Sequence, residues 1–320
     1  MLKKIKKVFK GMFKRILCVL SCLLLAAPSL PVLAAEASSL EYLISQDHLK
    51  IVYRQWPMAH AKGSVVIVHG LKDHSGRYQE FAQRLNAAGY SAYALDLRGH
   101  GQSDGPRQRV ADFNDYLRDL QRLVMLVQAR EANRPVFLFG HSMGGAIVTQ
   151  YALTFDQPLA GLILSAPAIK EDANVSPALI AALQGLAQHF PAMPALHLEF
   201  KDFTRNSQVL QDLQQDTLIA KGDVSAQLGA ELLSTLLSIQ KGLHRLEHPF
   251  LVLHGTADKL TNIAGSQMLF DKAQSPRKEF KQYPGLYHIL LNEPEKETVY
   301  ADIFAWLAEQ ERLGPVPHGH

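Results

Sequence analysis

Cysteine is nearly absent from this chain of 320 residues: the only two, Cys18 and Cys22, lie close to its start. Disulfides and thiol chemistry are therefore excluded downstream. A chain in which 47% of residues are hydrophobic can build one large core without cross-links. Acidic residues are absent from the first fifteen positions, which carry Lys3, Lys4, Lys6, Lys7, Lys10, Lys14 and Arg15. The apolar run Ile16–Ala27 that follows is about twelve residues, short of the roughly 20 a spanning helix needs. Pro28, Pro31 and the small-residue exit Val32-Leu33-Ala34-Ala35 come next. A basic segment, a short apolar segment and such an exit read as a signal peptide over residues 1–35, cleaved after Ala34 or Ala35, which places the product in the cell envelope or outside the cell. An uncleaved membrane anchor is the alternative. Removing the leader takes seven of 33 basic residues and none of the 30 acidic ones, leaving 26 against 30, a formal charge of −4. The overall +3 thus belongs to the leader, and nucleic-acid binding has no support. Internal repeats and low-complexity tracts are also lacking.

What is present is alternation. Short apolar runs at 49–53, 64–69, 92–97, 136–139, 159–164, 250–254 and 279–283 read as strands. Between them, helical patterns occupy 78–88, 113–129, 144–154, 263–272 and 297–311. In 113–129, Tyr116, Leu117, Leu120, Leu123, Val124 and Val127 recur at helical period and form one apolar face. This is the pattern of an α/β fold with a mostly parallel central sheet flanked by helices. The alternation breaks at 168–246, where Pro177–His189 and Ser225–Lys241 read as helices and no strand is expected. That stretch is too long for a loop. It reads as a helical cap inserted between core segments 36–167 and 247–313, with 314–320 as a flexible tail.

Gly140-His141-Ser142-Met143-Gly144 matches G-x-S-x-G, and its context carries more weight than the match itself. It follows the strand at 136–139 and opens the helix at 144–154, where a tight elbow exposes a serine and leaves the Met143 N–H facing a developing oxyanion. A serine hydroxyl needs a neighbouring base. Asp258 follows the strand 250–254 and His288 follows the strand 279–283, so both leave the sheet edge that presents Ser142. The order Ser142, Asp258, His288 is that of an α/β-hydrolase triad, with His288 as base and Asp258 orienting it. A second oxyanion donor is expected from the Leu71 N–H, in the loop after Val66-Ile67-Val68. His69 is expected to hold that loop.

Two other patterns fail on physical grounds. Arg98-Gly99-His100-Gly101-Gln102-Ser103-Asp104-Gly105 faintly suggests a dinucleotide loop, but Asp104 stands where close packing demands glycine. His244-Arg245-Leu246-Glu247-His248 matches a zinc-protease pattern that requires a helix, yet Pro249 drives the preceding residue out of helical geometry.

The segment Val68-His69-Gly70-Leu71-Lys72-Asp73-His74-Ser75-Gly76-Arg77-Tyr78 resembles a characteristic stretch of the monoacylglycerol lipases. So do Asp96–Gly105, Gly140–Gly145 and Gly285-Leu286-Tyr287-His288, and the resemblance runs from about residue 45 to 310. It implies hydrolysis of monoacylglycerols or lysophospholipids through an acyl-enzyme, with no metal or cofactor. It also puts nucleophile, acid and base on Ser142, Asp258 and His288, and the oxyanion donors on Leu71 and Met143. Leu71-Lys72 replaces the smaller residues usual there, and Asp73 replaces Glu. The substrate expected is a small-molecule acyl ester or lipid, with room for peripheral membrane contact through the cap. A small-ester carboxylesterase, an acyltransferase and a serine aminopeptidase share the triad. The last would want an acidic cluster near the pocket, for which Glu171, Asp172 and Glu199 are candidates, although they read more simply as a solvated face. A non-catalytic envelope-binding protein is the reading from another class.

Overall fold

The computed structural model describes residues 38–131, 134–171 and 177–314; the expected leader and the end of the tail lie outside them. In chain order the elements are β1 (Ser39–Ile44), β2 (Lys50–Trp56), β3 (Gly63–Val68), α1 (Gln79–Ala87), β4 (Tyr90–Leu95), α2 (Asn114–Arg130), β5 (Val136–His141), α3 (Met143–Thr154) and β6 (Gly161–Ser165). Then follow α4 (Pro177–His189), β7 (Pro194–Leu196), α5 (Ser207–Gln215), β8 (Val224–Ser225), α6 (Ala226–Gly242), β9 (Phe250–Gly255), α7 (Ile263–Lys272), β10 (Lys278–Tyr283) and α8 (Lys296–Leu313).

Eight strands form one sheet in the order β1-β2-β4-β3-β5-β6-β9-β10. β1 and β2 pair antiparallel, β2 runs antiparallel to β4, and the remaining neighbours are parallel. Every residue of β3, β4, β5, β6 and β9 is buried. That is why these strands are near-continuous apolar runs, as a parallel sheet covered on both faces requires. On one face, Tyr116, Leu120 and Val124 of α2 join Ile147 and Tyr151 of α3 and Ile239 of α6 against the sheet. On the other, Phe81 and Leu85 of α1 pack with Ile303, Trp306 and Leu307 of α8. All six apolar positions of the α2 stripe are buried.

Three strands differ from the sequence reading. β1 has no predicted counterpart; its residues are mostly exposed, so no buried run marks it. The stretch 168–246 was expected to be helices without strands, but Leu196 and Pro194 of β7 pair antiparallel with β8. Segments of three and two residues are too short to show a period-2 pattern.

Parallel strands send their C-terminal loops to the same sheet edge, and glycines let those loops close there. The N-terminus of α3 lies directly against the end of β3: a Cβ on Gly144 would sit 2.1 Å from the Val68 carbonyl oxygen and 2.6 Å from that of His69. Both obstacles are backbone. Gly144→Ala is therefore expected to lower stability by about 3 kcal/mol or more, read as a drop in the urea midpoint. An unchanged midpoint would mean that α3 is not held this close to β3.

Candidate active site

Ser142 stands between β5 and α3 with φ 56° and ψ −119°, a left-handed backbone that is strained for any residue with a side chain. The surroundings over-determine it. Its N–H donates to the Ser165 carbonyl at 3.0 Å, and its own carbonyl accepts from Gly145, Ala146 and Ala168 at 2.9, 3.2 and 3.0 Å. The loop after β3 comes equally close, since a Cβ on Gly70 would lie 3.0 Å from the Ser142 Cβ. His69 shapes that loop. Its Nε2 accepts from the Leu97 N–H at 3.1 Å, so its Nδ1–H donates to the Gly70 carbonyl at 2.7 Å. Burial holds this imidazole below its usual pKa, in keeping with a neutral ring.

The loops after β9 and β10 are tied together before they reach the site. The Thr256 N–H donates to the Tyr283 carbonyl at 3.0 Å, Ala257 to Leu286 at 3.1 Å, and Gly285 to the Thr256 hydroxyl at 2.9 Å. A Cβ on Gly255 would stand 2.2 Å from the Leu286 carbonyl oxygen, so the approach depends on that glycine. The result is that Asp258 Oδ2 and His288 Nδ1 are 2.8 Å apart, with both side chains almost wholly buried. An Nδ1–H donated to this carboxylate leaves Nε2 unprotonated. The His288 ring packs on His141, the residue before Ser142, with centroids 4.6 Å apart.

Asp258 has more partners than the motif suggests. Its Oδ1 accepts from the N–H groups of Leu260 and Thr261 at 2.8 and 3.1 Å, and its Oδ2 accepts from the Thr261 hydroxyl at 2.8 Å. His254, fully buried, places Nε2 3.2 Å from the same Oδ2. Its Nδ1 meets the Ser266 hydroxyl at 2.7 Å and its Nε2 also faces the Thr261 carbonyl, so Nε2 carries the proton. Burial alone would raise the Asp258 pKa. The imidazoles of His288 and His254 outweigh it and hold the carboxyl far below the usual range. His254 and Thr261 escaped the sequence reading; the one available signal was the spacing of a histidine four residues before the acid.

Ser142, His288, Leu71 and Met143 line one pocket. Among the described residues, neither the Leu71 nor the Met143 N–H donates to a protein acceptor. Ser142 caps α3, so the positive end of that helix dipole also lies here. Much of the rest of the wall is apolar: Leu196, Leu198, Phe200 and Phe203 from the stretch after α4, Leu213 and Ile219 from α5 and beyond, and Leu232 from α6, with Lys72, Asp73, His141 and Thr261 its polar members. The stretch after α4 is anchored beside His288. Glu293, fully buried, accepts from the Thr204 hydroxyl at 2.6 Å, the Arg205 N–H at 2.7 Å and, at 3.3 Å, the Tyr287 N–H next to His288.

The remaining sequence candidates fall elsewhere. Glu171 accepts from Gln240 at 2.7 Å, Glu199 pairs with Lys201, and neither lines the pocket; Asp172 lies outside the described residues. The 98–105 loop is structural: Asp96 accepts from Ser75 and Gln102 N–H groups at 2.6 and 2.8 Å, and a Cβ on Gly101 would strike its carboxylate. His244 sits in a single 3-10 turn, after which Leu246 is extended. Among the described residues no cluster of three metal-ligating side chains forms.

The family model described as serine aminopeptidase, S33, matches residues 59–295. The monoacylglycerol lipase of Mycolicibacterium smegmatis is 36% identical over 260 residues, covering 81% of this chain and 93% of that protein. The chain belongs to the monoacylglycerol lipase-like α/β-hydrolases. Human monoglyceride lipase is 33% identical over 277 residues, or 85% of this hydrolase and 91% of its relative. The crystal structure of Paleococcus ferrophilus monoacylglycerol lipase superposes with a TM-score of 0.72 at 28% identity, covering 86% of the hydrolase and 99% of that chain.

Proposed function

We propose that this hydrolase cleaves the acyl ester of single-chain lipids through a covalent acyl-enzyme, with Ser142 as nucleophile. The observation that carries the reading is the 2.8 Å Asp258–His288 hydrogen bond beside an apolar pocket whose wall includes Ser142. His288 Nε2 removes the Ser142 proton as Oγ attacks the ester carbonyl carbon. The N–H groups of Leu71 and Met143 receive the oxyanion. Collapse breaks the ester bond, and His288 returns the proton to the departing alcohol. A water molecule, deprotonated by the same imidazole, then hydrolyses the acyl-Ser142 ester and releases a fatty acid. Asp258 keeps the imidazole in its working tautomer and stabilises the imidazolium in both halves.

The leucine- and phenylalanine-rich wall favours a long acyl chain, at roughly 0.8 kcal/mol per buried methylene. A serine aminopeptidase would need a carboxylate free to hold the substrate amine. Asp73, the one carboxylate on the wall among the described residues, is engaged by Arg77 at 2.9 Å. Residues 168–246 act as the cap. Its exposed Phe190, Met193 and Leu196 supply an apolar edge for touching a membrane surface. Residues 1–35 direct export. Among the described residues, no helix is long and apolar enough to cross a membrane.

The test is hydrolysis of a monoacylglycerol, lysophosphatidylcholine and short p-nitrophenyl esters. Long-chain substrates are expected to lead in kcat/KM. Equal and feeble rates on all three would remove the lipid reading and leave a general esterase.

A further inference from the structure

Lys72 is the residue in this site that the reaction above does not use. It follows Leu71 on the loop after β3 and lines the pocket, yet the residue is only 2% exposed. Lysine is almost never this buried unless it is paired. Among the described residues Lys72 makes no hydrogen bond and no ion pair; its ammonium lies 5.8 Å from the centre of the Phe200 ring. Its backbone is left-handed, φ 64°, where glycine would sit without strain. The chain thus carries a strained, buried cation with no hydrogen-bond or salt-bridge partner, on a wall whose carboxylate, Asp73, is already held by Arg77.

The charges around it answer that cation only in part. Asp223 attracts it, but its carboxylate is held by His197 Nδ1 at 2.6 Å. Lys221 places a second ammonium 5.4 Å from the centre of the same Phe200 ring, while donating to the Leu213 carbonyl at 2.6 Å. Burial lowers the Lys72 pKa below that of an ordinary lysine, outweighing the opposing attraction of Asp223.

We infer that Lys72 is a specificity-determining residue whose ammonium receives the phosphate of a phosphate-bearing single-chain ester. This rests on the lipid-ester reading and narrows it. The Leu71 N–H would hold the ester oxyanion, and Lys72 is the next residue. In an acylglycerol phosphate the phosphate hangs a few bonds from the ester carbonyl, within the reach of a flexible four-carbon stem. Lysine meets phosphate as a point charge and needs no bidentate geometry. A neutral monoacylglycerol leaves the ammonium unpaired in the closed pocket.

The experiment compares kcat/KM of the full chain for 1-octanoylglycerol 3-phosphate and 1-octanoylglycerol, both below their aggregation concentrations. Wild type should prefer the phosphate ester by about tenfold or more, and the preference should shrink as salt is raised. Lys72→Met, which keeps the stem and removes the charge, should abolish it, and Lys72→Arg should retain part of it. Lys72→Gly suits the left-handed backbone and guards against misfolding; it should lose the preference at an unchanged or higher Tm. A ratio unaltered in Lys72→Met and Lys72→Gly, with both lipids still hydrolysed, would overturn the role of Lys72 and leave the lipid reading standing. Preference by wild type for octanoyl lactate would move the site to carboxylates and overturn the phosphate assignment. Turnover of p-nitrophenyl butyrate with neither lipid cleaved would remove both readings together.

Discussion

Ser142→Ala is expected to lower kcat for any ester by roughly 10⁴ to 10⁶ and to abolish labelling by a fluorophosphonate probe, while the protein stays folded. The size follows from the division of labour: without the hydroxyl no acyl-enzyme forms, and what remains is the effect of the oxyanion donors and of binding. Ser142→Gly should lose as much activity but gain about 1 kcal/mol of stability. The native φ of 56° is strained for serine and open to glycine. The pair of variants thus separates the chemistry of the side chain from the strain of the backbone that presents it. Folded wild type that takes up no probe would withdraw Ser142 as nucleophile and favour a binding protein.

Asp258→Asn should cost about 10⁴ in kcat. Two N–H groups, from Leu260 and Thr261, already point at Oδ1, so the new amide must keep its oxygen there and turn its NH₂ toward the position of Oδ2. That NH₂ would face His288 Nδ1, forcing the imidazole to accept there and to carry its proton on Nε2. An imidazole so protonated cannot take the serine proton. The same NH₂ would meet the His254 Nε2–H, donor against donor, so stability should fall as well. The acid limb of the stability profile gives a separate check. The folded-state pKa of Asp258 lies far below its unfolded value, so its ionised form stabilises the fold above about pH 4, and this contribution disappears progressively as the pH falls further. Asp258→Asn should flatten that limb, which pH-dependent urea unfolding would read. A variant that keeps wild-type kcat would show that another group orients His288.

Most of the sheet was legible because its strands are buried on both faces and so are written as apolar runs. β10 was also found, although Lys278, Glu279, Lys281 and Gln282 leave Phe280 and Tyr283 as its only apolar residues. β1 was not: an edge strand with mostly exposed side chains differs little in sequence from a loop. The nucleophile motif, and a candidate acid and base placed just past strands, gave Ser142, Asp258 and His288 as sequence expectations. What surrounds them was not legible. The second histidine on Asp258 depends on a buried turn that brings residues 254, 258 and 261 onto one carboxylate, and no period or motif encodes that meeting. Lys72 was visible as a departure from the family pattern, but its burial was not. A lysine in a loop reads as solvated, and only the packing of Phe200 and its neighbours reverses that.

Glu293 receives Thr204 and Arg205 on one side and the amide beside His288 on the other. The 203–205 stretch and the loop of the base therefore share this carboxylate, beside the Ile289 N–H that donates to the Phe203 carbonyl at 2.8 Å. If residues 168–246 roof the pocket as proposed, a roof transplanted from a relative to alter chain-length preference would have to bring its own threonine and arginine to that carboxylate, or the graft would disturb proton transfer along with selectivity. Exchange of modules in this hydrolase is limited less by where the segments join than by the side chains and backbone bonds that belong to both.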